Sequence, residues 1–580
     1  MRGRVIAVFR VFLRNHPRVE RLILSLIAPF MHRIIPAINR LRGPAYGAWF
    51  ARWQTTRPED ESEILAALGD EPPSFMIVLA TGPLGEITRQ SLQRQIAVCW
   101  EAVERPNLAM ALDDHRHRFV MVLEQGETLE RHALASFALA AQQQTSARIF
   151  YADEDVQDAS GALRDPWFKA AFDPLRLLQQ SSLGSAVAFE ANLLREHGLL
   201  SLGGHALALA ATSAAGAAAV CHIPLVLLHR HPQCPGAPWR NATDPEAVSA
   251  ALAQAMPGAR ITAAGKRPLQ IMWPVPAQAP MVSVIIPTRD RAALLAPCLE
   301  GLFLRTDYPA MEVIVVDNGS TEPALHALLH RWSSEPRLRV LPSPGPFNYA
   351  LLNNQAAAEA RGEVLVLLNN DTEVLHPEWL REMVSLAIRP DIGAVGAKLL
   401  FPSGQIQHAG VILGPRGVAG HDYLFAGGED DGQQDDLLLL RQVSAVTGAC
   451  LAVRRDAYFA VGGLDEQRFR VAYNDVDLCL KLGAAGLRNV FTPHARLRHH
   501  ESASRGSDFS KERFALWEAE RDAMREKWGE ALDHDPFFPP LLSFWPRART
   551  PAEPPRRNLF PDGKTMILSP QASSRQGSLP

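Results

Sequence analysis

Three apolar runs of strand length after Met281, each ending in a polar cluster, constrain this chain most. Val282-Ser-Val-Ile-Ile-Pro287 ends in Thr288-Arg-Asp290, and Glu312-Val-Ile-Val-Val316 ends in Asp317-Asn-Gly-Ser320. Glu363-Val-Leu-Val-Leu-Leu368 ends in Asn369-Asn-Asp-Thr-Glu373. Continuous apolar runs this short predict strands of an α/β fold buried on both faces. In an open α/β sheet the ligand crevice lies at the carboxyl ends of the strands, so three polar ends predict one shared site. A single Asp-Asn-Gly would mean little, since it is a common turn.

The residue types at these ends suit a charged, phosphorylated ligand. Asp317 can hydrogen-bond a base or a ribose, and Thr288 and Asp290 can line the same pocket. Asn369-x-Asp371 puts two hard oxygen donors just past a buried strand, which suits Mg²⁺ or Mn²⁺ held mainly by substrate phosphates. Asp371 is equally suited to capping a helix that starts near His376. Farther on, Tyr473-Asn-Asp-Val-Asp-Leu-Cys-Leu-Lys-Leu482 predicts a helix with two acids in its first turn and a stop at Gly486. Those acids either stabilise the helix terminus, or one of them, Asp475 or Asp477, is a general base for an attacking hydroxyl. In Arg496-Leu-Arg-His-His-Glu-Ser-Ala-Ser-Arg505 a histidine can complete a metal's ligand set and the arginines can pair with phosphate. A polar surface loop accounts for that segment as well.

Before this region lie two others. Met1 to about Gln54 is arginine-rich with Glu20 its only carboxylate. Arg10, Arg14, Arg18 and Arg21 follow one helical face and Val5, Val8, Phe9, Phe12 and Leu13 another. This predicts basic amphipathic helices, split at Pro17, that either lie on an anionic membrane or pack on the next domain. Residues 73–264 alternate strand-like runs (Ser74–Leu79, Phe119–Leu123) with helix-like ones (Gln90–Val103, Arg131–Gln142), predicting a second α/β domain. Three prolines in Trp273–Pro280 mark a linker spanning 265–280. The catalytic candidate covers 281–506, a charged helix (Lys511–Trp528) opens the extension 507–550, and the proline-rich end 551–580 has no folded pattern.

A length of 580 residues predicts two to four domains. The net charge of −3 gives no argument for a nucleic-acid partner. Six cysteines without C-x-x-C spacing support neither a zinc site nor a disulfide framework, as expected of reduced thiols in the cytoplasm. No apolar stretch reaches the roughly 18–20 residues of a membrane span, and no secretory cleavage site follows Leu22–Met31.

Taken in order, VSVIIPTRDR, VDNGS, FNYALLNNQAAAEARGEVLVLLNNDTEV, QHAGVILG, VTGACLAVRRDAYFAVGGLDE, NDVDLCLKL and HHESASRG resemble glycosyltransferase family 2 on the GT-A fold. The resemblance covers Met281 to Gly506 and is nearest to long bacterial rhamnosyltransferase-like enzymes of O-antigen synthesis. It implies an inverting, metal-dependent transferase moving a sugar from a nucleotide-diphosphate donor to a glycan or lipid-linked glycan at the cytoplasmic face of the inner membrane. It also implies Asp475 as base, Asn369 and Asp371 at the metal-binding D-x-D position, and His499 rather than His500 as a further metal ligand. Pro287, Thr288, Asp290, Asp317, Asn318, Asn354 and Asn370 fall to the donor side. Thr447, Gly448, Asp465, Glu466 and Asp477 fall to the acceptor side. Asn369 in place of an acid and Asn474 in place of the usual Glu depart from the family pattern. Tyr151-Ala-Asp-Glu-Asp155, Asp165-Pro-Trp-Phe-Lys169 and His222–His229 make the earlier domain resemble a decayed copy of the same fold. There the D-x-D strand ends in Glu124-Gln-Gly-Glu127, an Ala-rich run stands where the base helix would be, and too few residues precede Arg118 for a base-binding strand. The fold class expected is therefore α/β, two GT-A-like mostly parallel sheet domains with the first degenerate, preceded by amphipathic helices. Processive polymerisation is disfavoured by the lack of any channel-forming segment. The rival from another class is an inactive nucleotide-sugar-binding scaffold, which intact Asp371, Asp475 and His499 argue against.

Overall fold

The computed structural model describes residues 45–556 except 81, 97, 105–116, 234–242, 263–267, 501–510 and 545–548. The basic stripe of Arg10, Arg14, Arg18 and Arg21 lies outside the described residues. The described chain forms two compact units. One comprises 45–274, 431–442 and 534–556, and the other comprises 275–430 and 443–533.

The first unit is built on strands β1 (Phe75–Leu79), β2 (Trp100–Glu104), β3 (Phe119–Leu123), β4 (Glu127–Leu129), β5 (Ile149–Gln157), β6 (Leu163–Trp167), β7 (Val187–Glu190) and β8 (Val220–Arg230). They run in the order β2-β1-β3-β7-β5-β8-β4, with β6 on β5. β1 and β3 are apolar throughout and almost wholly buried, and their Phe75 and Phe119 rings stack at 5.6 Å. Two expectations are corrected here. The helix predicted over Gln90–Val103 ends at Gln93, and Trp100–Glu104 is β2, paired in parallel with β1. The segment before Arg118 therefore does hold a second strand. Helix α1 (Gly204–Ala215) also occupies the Ala-rich stretch, because alanine is the best helix former whether or not acids open the helix.

The second unit carries β9 (Val282–Thr288), β10 (Met311–Asp317), β11 (Leu338–Pro342), β12 (Val364–Leu368), β13 (Thr372–Val374), β14 (Ile392–Leu400), β15 (Ile406–His408), β16 (Cys450–Arg454) and β17 (Arg488–His499). Their order is β11-β10-β9-β12-β16-β14-β17-β13, with β15 on β14. Pairing is parallel from β11 to β12 and antiparallel through β16. α2 (Tyr349–Glu359) packs on β9, and α3 (Trp379–Ala387) on β14 and β17. α4 (Asn474–Ala484) precedes β17, and α5 (Lys511–Trp528) follows it.

Apart from β11, the two sheets share one topology. The sequence β10-β9-β12-β16-β14-β17-β13 matches β2-β1-β3-β7-β5-β8-β4, and every pairing keeps its direction. Both units are α/β, and the first repeats the architecture of the second.

Candidate active site

The carboxyl ends of β9, β10 and β12 meet as their polar residues predict. Thr288 and Asp317 are paired residues on neighbouring strands, and Asn370 Nδ2 donates to Thr288 Oγ1 at 2.9 Å. Asp290 sits at φ 56° and accepts the Thr321 and Glu322 amides at 2.7 and 2.9 Å. Those two amides hold its carboxyl below the usual carboxylate range. Asp290 thereby shapes the loop in which Ser320 donates its amide to Asp317 Oδ1 at 2.9 Å. Pro287 is buried within β9. Asn318 is corrected: its side chain is buried and donates to the Ser343 and Gly345 carbonyls, fastening the loop after β11. Asn354 is corrected too. Its amide bonds Leu464 O and Glu466 Oε2 and accepts from Tyr458 and Leu464, which fully commits it to holding the 463–466 turn.

Past β12, Asn369, Asp371 and His499 come together although 128 residues separate Asp371 from His499 (499 − 371). β13 turns back against β17 so that Thr372 pairs with His499. His499 Nε2 then lies 3.0 Å from Asp371 Oδ1 and 3.2 Å from Asn369 Nδ2. Its Nδ1 is 2.7 Å from Gln407 Oε1. An amide oxygen can only accept, so Nδ1 donates to it, and in that tautomer of the neutral ring Nε2 is the acceptor for Asn369 Nδ2. Asp371 and His499 are only 3% and 7% exposed. Imidazole, carboxylate and a neighbouring amide whose oxygen can rotate inward form a donor set that fits Mg²⁺ or Mn²⁺. Among the described residues no three His, Cys, Asp or Glu side chains are grouped to hold a metal, so a cation here would need ligands from elsewhere, as substrate phosphates provide. His500 stands 3.7 Å from Glu373 instead, and Arg496 and Arg498 pair with Glu429 and Glu373 rather than standing free for phosphate.

The carboxylate of Asp475 joins this centre through one loop. Asn369 N donates to Ala449 O at 3.0 Å, and the preceding residue of that loop, Gly448, donates its amide to Asp475 Oδ2 at 2.8 Å. Gly448 O in turn accepts from Tyr349 at 2.8 Å, and Thr447 Oγ1 accepts from the Ala449 amide. A Cβ at 448 would come within 3.2 Å of the Tyr349 hydroxyl, so the loop approaches closely because it is glycine. Asp477 is corrected as an acceptor contact: it is wholly buried and held by Trp528 Nε1 at 2.9 Å, Lys527 at 2.7 Å and Lys481 at 3.3 Å. Asp465 faces Lys527 and the Arg468 amide, and Glu466 faces Asn354.

The shared topology assigns counterparts in the first unit. Glu127 pairs with Arg230 there as Thr372 pairs with His499, so Arg230 stands at the histidine's place. It is buried, with its Nε 3.2 Å from Glu127. His205, second residue of α1, stands where Asp475 is the second residue of α4, and it is bonded to Leu177 O and the Asp244 amide. Asp153 and Asp155 are buried against His222 and His229.

Sequence reasoning missed Gln407. Its motif, QHAGVILG, was in view, but an amide has no titratable signature, and only the pairing of β15 on β14 brings it to His499.

The glycosyl transferase family 2 model matches residues 283–459, a span that ends before Asp475 and His499. The chain is 38% identical over 449 residues to an uncharacterized protein, y4gI, of Sinorhizobium fredii, covering 75% of this chain and 49% of the relative. It is 39% identical over 406 residues to the O-antigen biosynthesis protein RfbC of Myxococcus xanthus, covering 68% of this chain and 32% of the relative. It thus spans about half or less of the length of these two. To the N-acetylglucosaminyl-diphospho-decaprenol L-rhamnosyltransferase of Mycobacterium tuberculosis it is 29% identical over 254 residues, 39% of this chain and 78% of the relative. Residues 283–459 of this chain thus form a glycosyl transferase family 2 domain.

Proposed function

We propose that the second unit is an inverting, metal-dependent glycosyltransferase that moves a sugar from a nucleotide-diphosphate donor to a cell-envelope glycan, free or lipid-linked. The observation that carries the reading is the assembly of Asn369, Asp371 and His499 one loop away from Asp475. Asp317 and Thr288 contact the nucleoside, while Thr447 and Gly448 border the acceptor. Asp475 accepts the acceptor hydroxyl's proton as its oxygen attacks the anomeric carbon, on the face opposite the departing diphosphate. A divalent cation held by Asp371, His499 and Asn369 would neutralise charge on that leaving group. The names of two of these relatives, O-antigen biosynthesis protein and rhamnosyltransferase, favour an envelope glycan as acceptor. Among the described residues no helix is long and apolar enough to cross a membrane. The arginines before residue 45 would supply contact with anionic lipid at the cytoplasmic face. The first unit, with Arg230 and His205 at the decisive positions, serves as a scaffold or acceptor-binding domain.

The test is a titration of Mn²⁺ and donor against three variants, with the donor first found by screening a panel of nucleoside-diphosphate sugars for hydrolysis. Asp475→Asn should lower kcat by about 10²–10⁴-fold at nearly constant donor affinity. Asp371→Asn and His499→Ala should instead raise the metal and donor concentrations required, with partial recovery at high Mn²⁺. Rescue of Asp475→Asn by metal, or a larger loss in Asp477→Asn, would overturn the assignment.

A further inference from the structure

The segment matched to the family ends at residue 459, and Lys511–Trp528 lies well beyond it. One face of that helix, α5, is nevertheless committed to the helix that carries Asp475. Glu520, Met524 and Trp528 recur every four residues and so share a face, with Lys527 beside them. Glu520 is 2% exposed, and its two oxygens accept the Val471 and Ala472 amides at 3.0 and 2.7 Å. Those amides lead directly into Tyr473, which at φ 61° turns the chain into α4. Two turns farther along, Trp528 Nε1 and Lys527 Nζ bond Asp477 at 2.9 and 2.7 Å. Met524 between them is wholly buried.

Consequently α4 is gripped both before and after Asp475. From the other side the Gly448 amide donates to Asp475 Oδ2 at 2.8 Å, and within α4 the Val476 amide donates to Oδ1 at 2.8 Å. A carboxylate at the start of a helix can rotate with its first turn, and that turn follows a left-handed residue. The pair of anchors from α5 acts on the turn that carries both of these contacts.

We infer that Glu520 and Trp528 are positioning residues for Asp475, which makes α5 part of the catalytic apparatus rather than an appended extension. The inference rests on the reading of Asp475 as base. Glu520 holds the backbone entry to α4. Trp528, with Lys527, holds Asp477, which at two residues' separation faces away from Asp475 and acts as the handle by which the first turn is oriented.

The experiment uses the full chain and hydrolysis of a nucleoside-diphosphate sugar drawn from a panel of UDP-, GDP- and dTDP-linked hexoses and deoxyhexoses. Trp528→Phe keeps an aromatic ring but removes the indole N–H together with its five-membered ring, and Glu520→Gln keeps the size but can accept only one of the two amides through oxygen. Each should lower kcat by about 10- to 100-fold, the scale of a small misplacement of a reacting group. Donor KM and Mn²⁺ affinity should stay within about twofold of the parent. Each substitution is also made in an Asp475→Asn background, where it should cost little more, since the group it orients is already gone. Equal losses in both backgrounds, a change confined to KM, or unchanged kcat in folded Trp528→Phe would overturn the inference. Should Asp475→Asn keep full activity, the base assignment itself fails, and that outcome is distinct from inactive Asp475→Asn beside fully active Trp528→Phe and Glu520→Gln. Glu520→Gln that fails to fold leaves Trp528→Phe to decide.

Discussion

Gln407 illustrates how a neutral side chain can govern a charged site. By accepting from Nδ1 of His499 at 2.7 Å it turns Nε2 toward Asp371 and Asn369. Partners of this kind around metal-ligating histidines are typically worth 10–100-fold in metal affinity or activity. Gln407→Leu should therefore weaken Mn²⁺ binding, measured calorimetrically with UDP present, by about 10–100-fold, while kcat at saturating metal stays near that of the parent. Unaltered affinity would show that β17 alone orients the ring. The polar ends of the strands pointed to Asn369 and Asp371, while His499 was named over His500 only by the resemblance; the structure brings the three side chains together. Asp477 was not legible in the sequence. Residues two apart on a helix point about 200° from each other, so only one of Asp475 and Asp477 can face the loop at Gly448. The sequence carries no mark of which side that loop occupies. Asn354 was misread for a similar reason: an amide suited to a ligand serves a turn of its own chain equally well.

Among the elements, β9, β10 and β12 came within a residue or two of their expected limits, since wholly apolar runs bounded by polar clusters admit little else. β2 was concealed because Trp100-Glu-Ala-Val-Glu104 sits at an only partly buried sheet edge and lacks that apolar signature. Gly362 shows what the central strands demand of the chain that enters them. A Cβ there would lie 2.4 Å from the Ser283 amide nitrogen and 2.8 Å from the Val282 carbonyl carbon, both backbone atoms that cannot step aside. Gly362→Ala should destabilise the second unit by about 1–3 kcal/mol or more, the usual range for overpacking. A lowered melting temperature checks it, and an unchanged one would mean that β9 can shift. In the first unit, His229 is clasped between Asp155 and Glu130 at 2.5 and 2.7 Å. Burial disfavours its cation, but those two bonds prevail and raise its pKa to about 9 from the ordinary 6.5. The folded state thus holds a proton that the unfolded chain releases, so this stabilisation is complete below about pH 6.5 and lost as pH rises through about 9. Melting temperature should decline across that window, and His229→Gln should flatten the decline. An equal slope in the variant would assign it to other groups.

At the scale of the molecule, one sheet topology occurs twice with opposite solutions to the same electrostatic problem. In the second unit the end of β17 offers an imidazole to Asp371, leaving an anionic corner that invites a cation from outside. In the first, the end of β8 offers Arg230 to Glu127, so the corner carries a fixed cation of its own. A guanidinium is charged at every accessible pH and cannot vacate the position by deprotonation, so a divalent ion approaching it meets repulsion as well as a filled space. Glu154, also buried, pairs through Oε2 with Lys169 at 3.2 Å and lies 4.0 Å from Arg230 through Oε1. The duplicated architecture thus predicts one metal per chain, not two. Mn²⁺ titrated into the full-length protein with saturating UDP should saturate at one equivalent. His499→Ala should abolish most of that binding, and Arg230→Gln should leave it unchanged. Two equivalents in the parent protein, or a full equivalent surviving in His499→Ala, would place a working metal site in the first unit and end its reading as a scaffold.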